Sequence, residues 1–167
     1  MLFRSPDALV VSSTHINVSC ANGSNGVVKI NYEGGVSPYS INFNGATSTP
    51  SSSPAKFMNL SAGVYQWSLS DANGCSQSGV DTINQPIPVE VRLNSVADNN
   101  CNDAICNGSS TAVVTAGGTA PYSYSWTING VVSVTQTAVT ATSLCPNSRI
   151  KVLVTDANGC KIGRAHV

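Results

Sequence analysis

The sequence predicts an all-β protein made of two tandem sandwich domains. Three observations carry that prediction: a composition that disfavours helices, apolar residues that alternate with a period of two, and short motifs that recur further along the chain. Ser, Thr and Asn supply 54 of the 167 residues, and charged residues are only 10%, against about 25% in an average soluble domain. Ser, Thr, Asn and Gly favour turns and caps while Val and Thr favour strands, so long helices are not expected. Lys plus Arg equals Asp plus Glu at 8 each, which leaves no electrostatic footprint for nucleic acid or an acidic membrane. No stretch approaches the roughly 20 apolar residues of a membrane span. Neither nucleic-acid binding nor membrane insertion is expected.

The repeat sets the domain organisation. Asp71-Ala72-Asn73-Gly74-Cys75 recurs as Asp156-Ala157-Asn158-Gly159-Cys160, an offset of 85. Gly34-Gly35-Val36-Ser37-Pro38-Tyr39 recurs as Gly117-Gly118-Thr119-Ala120-Pro121-Tyr122 at 83, Asn25-Gly26 as Asn107-Gly108 at 82, Cys20 as Cys101 at 81 and Pro6 as Pro86 at 80. The drift is what loop insertions produce, and the period is that of a small sandwich domain. Domains are expected over 6–85 and 86–161, with the end of an earlier copy just upstream of Pro6. Segments 1–5 and 162–167 resemble translated sequencing-adapter DNA and are set aside as foreign scars. Without Arg4 and Arg164 the net charge moves from 0 to −2. Copy two then stops near Cys160, where copy one continues through 76–85, so the second sandwich is expected to lack its last strand and to expose a raw edge.

Within each copy the elements follow in order. Gly34-Gly35 and Gly117-Gly118 read as sharp turns before a Pro-Tyr pair. Tyr39, Ile41 and Phe43, matched by Tyr122, Tyr124 and Trp126, alternate as a half-buried strand does. Residues 48–54, rich in Ser and Pro, read as a loop. Tyr65, Trp67 and Leu69 form the next strand, matched by Ile150, Val152 and Val154. Asn73-Gly74 and Asn158-Gly159 read as type I′ hairpin turns, which need positive φ at both central residues, with Asp71 and Asp156 organising them as Asx residues. Six to seven short strands per copy, separated by regular turn signals, point to an Ig-like sandwich.

Six cysteines, an even number, point to disulfides and a compartment outside the cytosol. Residues 1–5 do not carry the apolar core of a signal peptide, and the chain reads as a piece of a longer secreted protein. Cys106 and Cys145 stand where copy one has Ser24 and Ser61; cysteines that come and go together are most simply partners. The expected pairs are Cys20–Cys75, Cys101–Cys160 and Cys106–Cys145. A rival reading gathers Cys101, Cys106, Cys145 and Cys160 around zinc, but copy one, with two cysteines, would have no equivalent site.

Residues for chemistry are few. Outside the adapter-like tail His15 is the sole histidine, and Thr14-His15-Ile16-Asn17 brings it no acidic neighbour, so it reads as a surface residue. Asp71 and Asp156 occupy one position in two domains and cannot form a hydrolase pair. A calcium ligand at that corner is the functional alternative to an Asx turn. Tyr122, Tyr124 and Trp126 could present rings to a sugar, but copy one has Ile41 in the series, which favours a core role. Asp81-Thr82-Ile83 resembles an O-glycosylation acceptor of some gliding bacteria. No phosphate-binding glycine loop or nucleophile elbow appears. The expectation is no enzyme, no catalytic residue, no cofactor and no metal.

These landmarks, 117–126, then Leu144-Cys145-Pro146, then 156–160, together with Leu60-Ser61-Ala62-Gly63-Val64-Tyr65 and Ile83-Asn84-Gln85-Pro86 in copy one, resemble the SprB repeat of gliding-motility and cell-surface adhesins in Bacteroidota. Copy two departs at Asn147-Ser148-Arg149-Ile150, where the family usually has Gly and Tyr. The resemblance implies a large secreted surface protein, often exported by the type IX system, whose tandem repeats extend an adhesive filament. Its partners would be neighbouring repeats of the same chain and a surface polysaccharide or other cell-surface ligand. The alternative is an accessory module of a secreted hydrolase, binding glycan or spacing the enzyme.

Overall fold

Gly26–Glu33 alternates buried and half-buried residues along its length, the pattern of a strand with one face on a core. The computed structural model describes residues 7–96, 106–133 and 136–166, and the chain divides into two units, Met1–Gln85 and Pro86–Val167. Among the described residues every regular element is a strand.

The first unit runs β1 (Val10–Ile16), β2 (Gly26–Glu33), β3 (Ser40–Phe43), β4 (Ala46–Ser48), β5 (Ala55–Leu60), β6 (Gly63–Ser70) and β7 (Ser76–Ile83). These form one sheet in the order β1-β2-β5 and another in the order β4-β3-β6-β7, with every pairing antiparallel. Inward residues of both sheets meet in one core: Val28 and Ile30 from the first; Ile41, Phe43, Trp67, Leu69 and Ile83 from the second. The rings of Phe43 and Phe57 stack with centroids 3.8 Å apart.

The second unit repeats this plan with β8 (Glu90–Val96), β9 (Gly108–Ala116), β10 (Ser123–Ile128), β11 (Val131–Val132), β12 (Thr140–Leu144), β13 (Ile150–Thr155) and β14 (Lys161–His166). Its sheets are ordered β12-β9-β8 and β11-β10-β13-β14, the same connectivity as in the first unit. Trp126, Val152 and Val154 are fully buried at its centre. Each unit is thus an Ig-like β-sandwich of three strands against four.

The second sandwich does not lack its last strand. β14 pairs with β13 along its whole length, from Thr155↔Lys161 to Ile150↔His166, so 161–166 belong to the sheet instead of standing outside it. Backbone groups, not side chains, make a ladder. The corner at Asn158-Gly159 turns the chain back along β13, and Ile162 packs against the core. The raw edge expected on β13 is covered.

The two-residue type I′ turns also lie elsewhere than expected. Asn44-Gly45 joins β3 to β4 between paired Phe43 and Ala46, with φ of 48° and 89°. Asn129-Gly130 joins β10 to β11 between paired Ile128 and Val131, with φ of 51° and 85°. At the anticipated sites only the glycines take positive φ, 83° at Gly74 and 80° at Gly159. There the Gly74 N–H donates to the Asp71 carbonyl at 3.1 Å, so the turn spans Asp71–Gly74 with glycine, its last residue, in the left-handed conformation. That is the three-residue hairpin loop with a bulge.

Candidate functional site

Asp71 sits at the end of β6 and Gly35 at the end of β2, and their loops meet at one end of the first sandwich. Asp71 is 7% exposed, and its carboxylate spends both oxygens on backbone donors. Oδ1 accepts from Asn73 N at 3.0 Å and Cys75 N at 2.8 Å, and Oδ2 accepts from Val36 N at 3.0 Å. Ala72 N donates to Val36 O at 2.8 Å, and Tyr39 Oη donates to Gly34 O at 2.6 Å. A side chain at Gly34, held at φ 67°, would run into the Ala8 carbonyl. The Gly-Gly…Pro-Tyr and Asp-Ala-Asn-Gly-Cys motifs are therefore two halves of one corner.

The second unit builds the same corner. Asp156 Oδ1 accepts from Asn158 N at 2.9 Å and Cys160 N at 2.8 Å, and Oδ2 accepts from Thr119 N at 2.9 Å. Tyr122 Oη donates to Gly117 O at 3.1 Å. Burial alone would raise the pKa of Asp156, but N–H donors from Thr119, Cys160, Asn158 and Gly159 outweigh it and hold the carboxyl below the usual carboxylate range. These oxygens already face a ring of donors, which is the environment of a turn-forming carboxylate and not of a cation ligand. Among the described residues no three His, Cys, Asp or Glu side chains gather as metal ligands.

The cysteines divide between the two ends of each sandwich. Cys106, just before β9, is bonded to Cys145, just after β12, across a sequence separation of 39. That bond removes two thiolates from the zinc set. Cys20 and Cys75 are not partners: Cys75 is an exposed free thiol, whereas Cys20 is disulfide-bonded. Distance explains the correction. Cys20 lies in the loop held to the far end of β7, where Val18 N donates to Asn84 O at 3.2 Å and Asn22 N donates to Gln85 Oε1 at 2.9 Å. Cys75 lies before the first residue of β7. The eight residues of β7 span roughly 25 Å, far beyond the ~4.4–6.8 Å between Cα atoms that a disulfide tolerates. Cys160 is disulfide-bonded; the expected pair Cys101–Cys160 involves Cys101, which lies outside the described residues.

His15 gains an acidic partner that its local sequence does not show. Its Nδ1 lies 3.2 Å from Asp81 Oδ1, and Trp67 Nε1 donates to Asp81 Oδ2 at 2.9 Å. Asp81 is buried and joins β1 of one sheet to β6 and β7 of the other. Gln77 does the same nearby, its Nε2 donating to Leu9 O at 2.9 Å and its Oε1 accepting from Val11 N at 3.3 Å. These side chains close the open side of the sandwich between β1 and β7. Thr82 is exposed beside Asp81.

The aromatics are committed to packing. Trp126 is fully buried, with Nε1 donating to Ala138 O at 2.9 Å, and Tyr122 and Tyr124 pack partly buried against the same core. Burial, and then the neighbouring Tyr39 ring with its centroid 4.8 Å away, push the pKa of the Tyr32 phenol up. On the outer face of the β4-β3-β6-β7 sheet an open groove is lined by Asn42, Asn44, Gln66, Ser68, Ser78 and Val80, with no charged side chain.

No family model matches this chain, and no curated protein matches it. Among solved structures, an amphioxus IgVJ-C2 molecule is similar over 89% of this chain and 98% of its own, at 15% identity and a TM-score of 0.36. Fibronectin(III)-like modules of Clostridium thermocellum CbhA align over 95% of this chain and 91% of theirs, at 13% identity and a TM-score of 0.37. The architecture rests on the strand order of the two units themselves.

Proposed function

We propose that this chain is a stretch of non-catalytic repeats from a secreted cell-surface adhesin, similar to the SprB repeats of Bacteroidota. The observation that carries this reading is the corner. In both units the same motif residues are consumed in holding the fold: Asp71 and Asp156 by backbone donors, Tyr39 and Tyr122 by the Gly-Gly carbonyls. Residues that recur because they build the scaffold serve an array of repeats, whereas an enzyme would hold a polar group in reserve for substrate. Among the described residues the buried polar side chains have their hydrogen bonds made within the fold. The Cys106–Cys145 disulfide fits an oxidising compartment outside the cytosol. Type IX export and a part in gliding are the finer parts of the proposal and come from the resemblance in sequence.

Surface display tests it. Antibodies raised against residues 6–161 should label intact, unpermeabilised cells, and external protease should remove the signal. Signal confined to permeabilised cells would contradict the reading.

A further inference from the structure

We infer that Cys75 is a covalent attachment point, forming a disulfide with the loop cysteine of a further copy of this repeat, the cysteine that aligns with Cys20. The inference rests on the reading of this chain as one stretch of a repeat array. Three observations carry it. The thiol of Cys75 is exposed and free. Its own copy's Cys20 is bonded and lies at the opposite end of the sandwich, about 25 Å along β7. The corner that presents Cys75 is built again around Cys160, with the same 2.8 Å bond from the cysteine N–H to the aspartate, and there the sulfur is disulfide-bonded.

Chain direction names the partner. In the first unit the corner lies at the end where the chain enters, since Gly35 N donates to Asp7 O at 2.8 Å. The loop cysteine lies at the end where it leaves, beside Asn84 and Gln85. In a tandem array the leaving end of one copy is joined to the entering end of the next. A copy placed before the first unit therefore brings its loop cysteine toward the end that carries Cys75. The cysteines left apart within one sandwich become partners along the array.

The step is a thiol–disulfide exchange. A Cys75 thiolate attacks a disulfide oxidant and forms a mixed disulfide, releasing one thiol. The partner thiolate attacks the Cys75 sulfur, forms the S–S bond and releases the second thiol. Two protons leave the two cysteines, and two electrons reduce the oxidant to two thiols.

The test is a non-reducing peptide map of the natural protein taken from cells with free thiols alkylated during extraction. The expected result is a Cys75 peptide linked to a peptide carrying the loop cysteine of another copy. Intact mass under denaturing, non-reducing conditions then separates a bond within one chain from a bond to a second molecule. Cys75 recovered alkylated, capped by a small thiol or linked to Cys20 would overturn the inference. Further copies found with Cys75 alkylated would overturn the disulfide alone; no further copies and an alkylated Cys75 would overturn the array reading with it. As a control, the Cys75→Ser variant should lose the link while keeping its far-ultraviolet circular dichroism.

Discussion

Asp71 holds three backbone N–H groups from two loops that are far apart in sequence. Hydrogen bonds to a charged group contribute about 1.5–3 kcal/mol each to stability, with strong non-additivity among neighbours. Asp71→Ala should therefore destabilise the first unit by about 2–3 kcal/mol in urea unfolding; a change within ~0.5 kcal/mol would show that the corner does not depend on the carboxylate. Asp156 adds a pH dependence of known sign. Its folded pKa lies below the unfolded value, so its contribution is fully present above the unfolded carboxylate pKa of about 3.9 and is lost as pH falls through the folded one. Melting followed from pH 6 to pH 2 should show an acid-side loss that Asp156→Asn reduces. An unchanged profile would contradict this role. Composition and repeat spacing made these two aspartates legible as a pair, and their Asx chemistry suggested the turn. The grip on Val36 and Thr119 was not legible, because nothing local links residues more than thirty positions apart.

Strands whose inner and outer faces differ could be read directly: Tyr65, Trp67 and Leu69 alternate, and so do Val152 and Val154. What local reading misplaced were features set by partners distant in sequence. Asn-Gly forms a type I′ turn at Asn44-Gly45 and Asn129-Gly130, where two paired strands close directly on it. At Asn73-Gly74 the Asp71 carboxylate captures the Asn73 N–H and draws the turn one residue back. β14 was hidden because its residues look unlike those of β7, although backbone pairing asks little of them. The corner between β5 and β6 shows two solutions to one problem. In the first unit Tyr65 Oη donates to Ser61 O at 2.9 Å, a tyrosine corner. In the second, Ile150 stands at the aligned position, and Cys145, aligned with Ser61, is bonded to Cys106. Tyr65→Phe should cost the first unit about 1 kcal/mol. Cys106→Ser should cost the second about 4 kcal/mol by the entropy of closing a loop of that length. Calorimetry that found the two losses equal would contradict this division of labour.

Taken whole, a chain of zero net charge, rich in hydroxyls and amides, is cast as two sandwiches of one topology, each stabilised by its own core and its own corner. Trp67 and Trp126 lie in those cores at 7% and 0% exposure. Their emission should be blue-shifted and unmoved by added polysaccharide, and quenching by a glycan would point to the accessory-module alternative. Fold class was legible from composition, period and repeat together. Which cysteines pair was not, because covariation between copies identifies partners only when both lie at the same end of one sandwich, as Cys106 and Cys145 do. The complete coding sequence around this stretch tests the repeat-array reading most directly. Further copies are expected, each carrying Gly-Gly followed by Pro-Tyr and then Asp-Ala-Asn-Gly-Cys at a similar spacing, together with a secretion domain. A catalytic domain beside these two copies alone would contradict it.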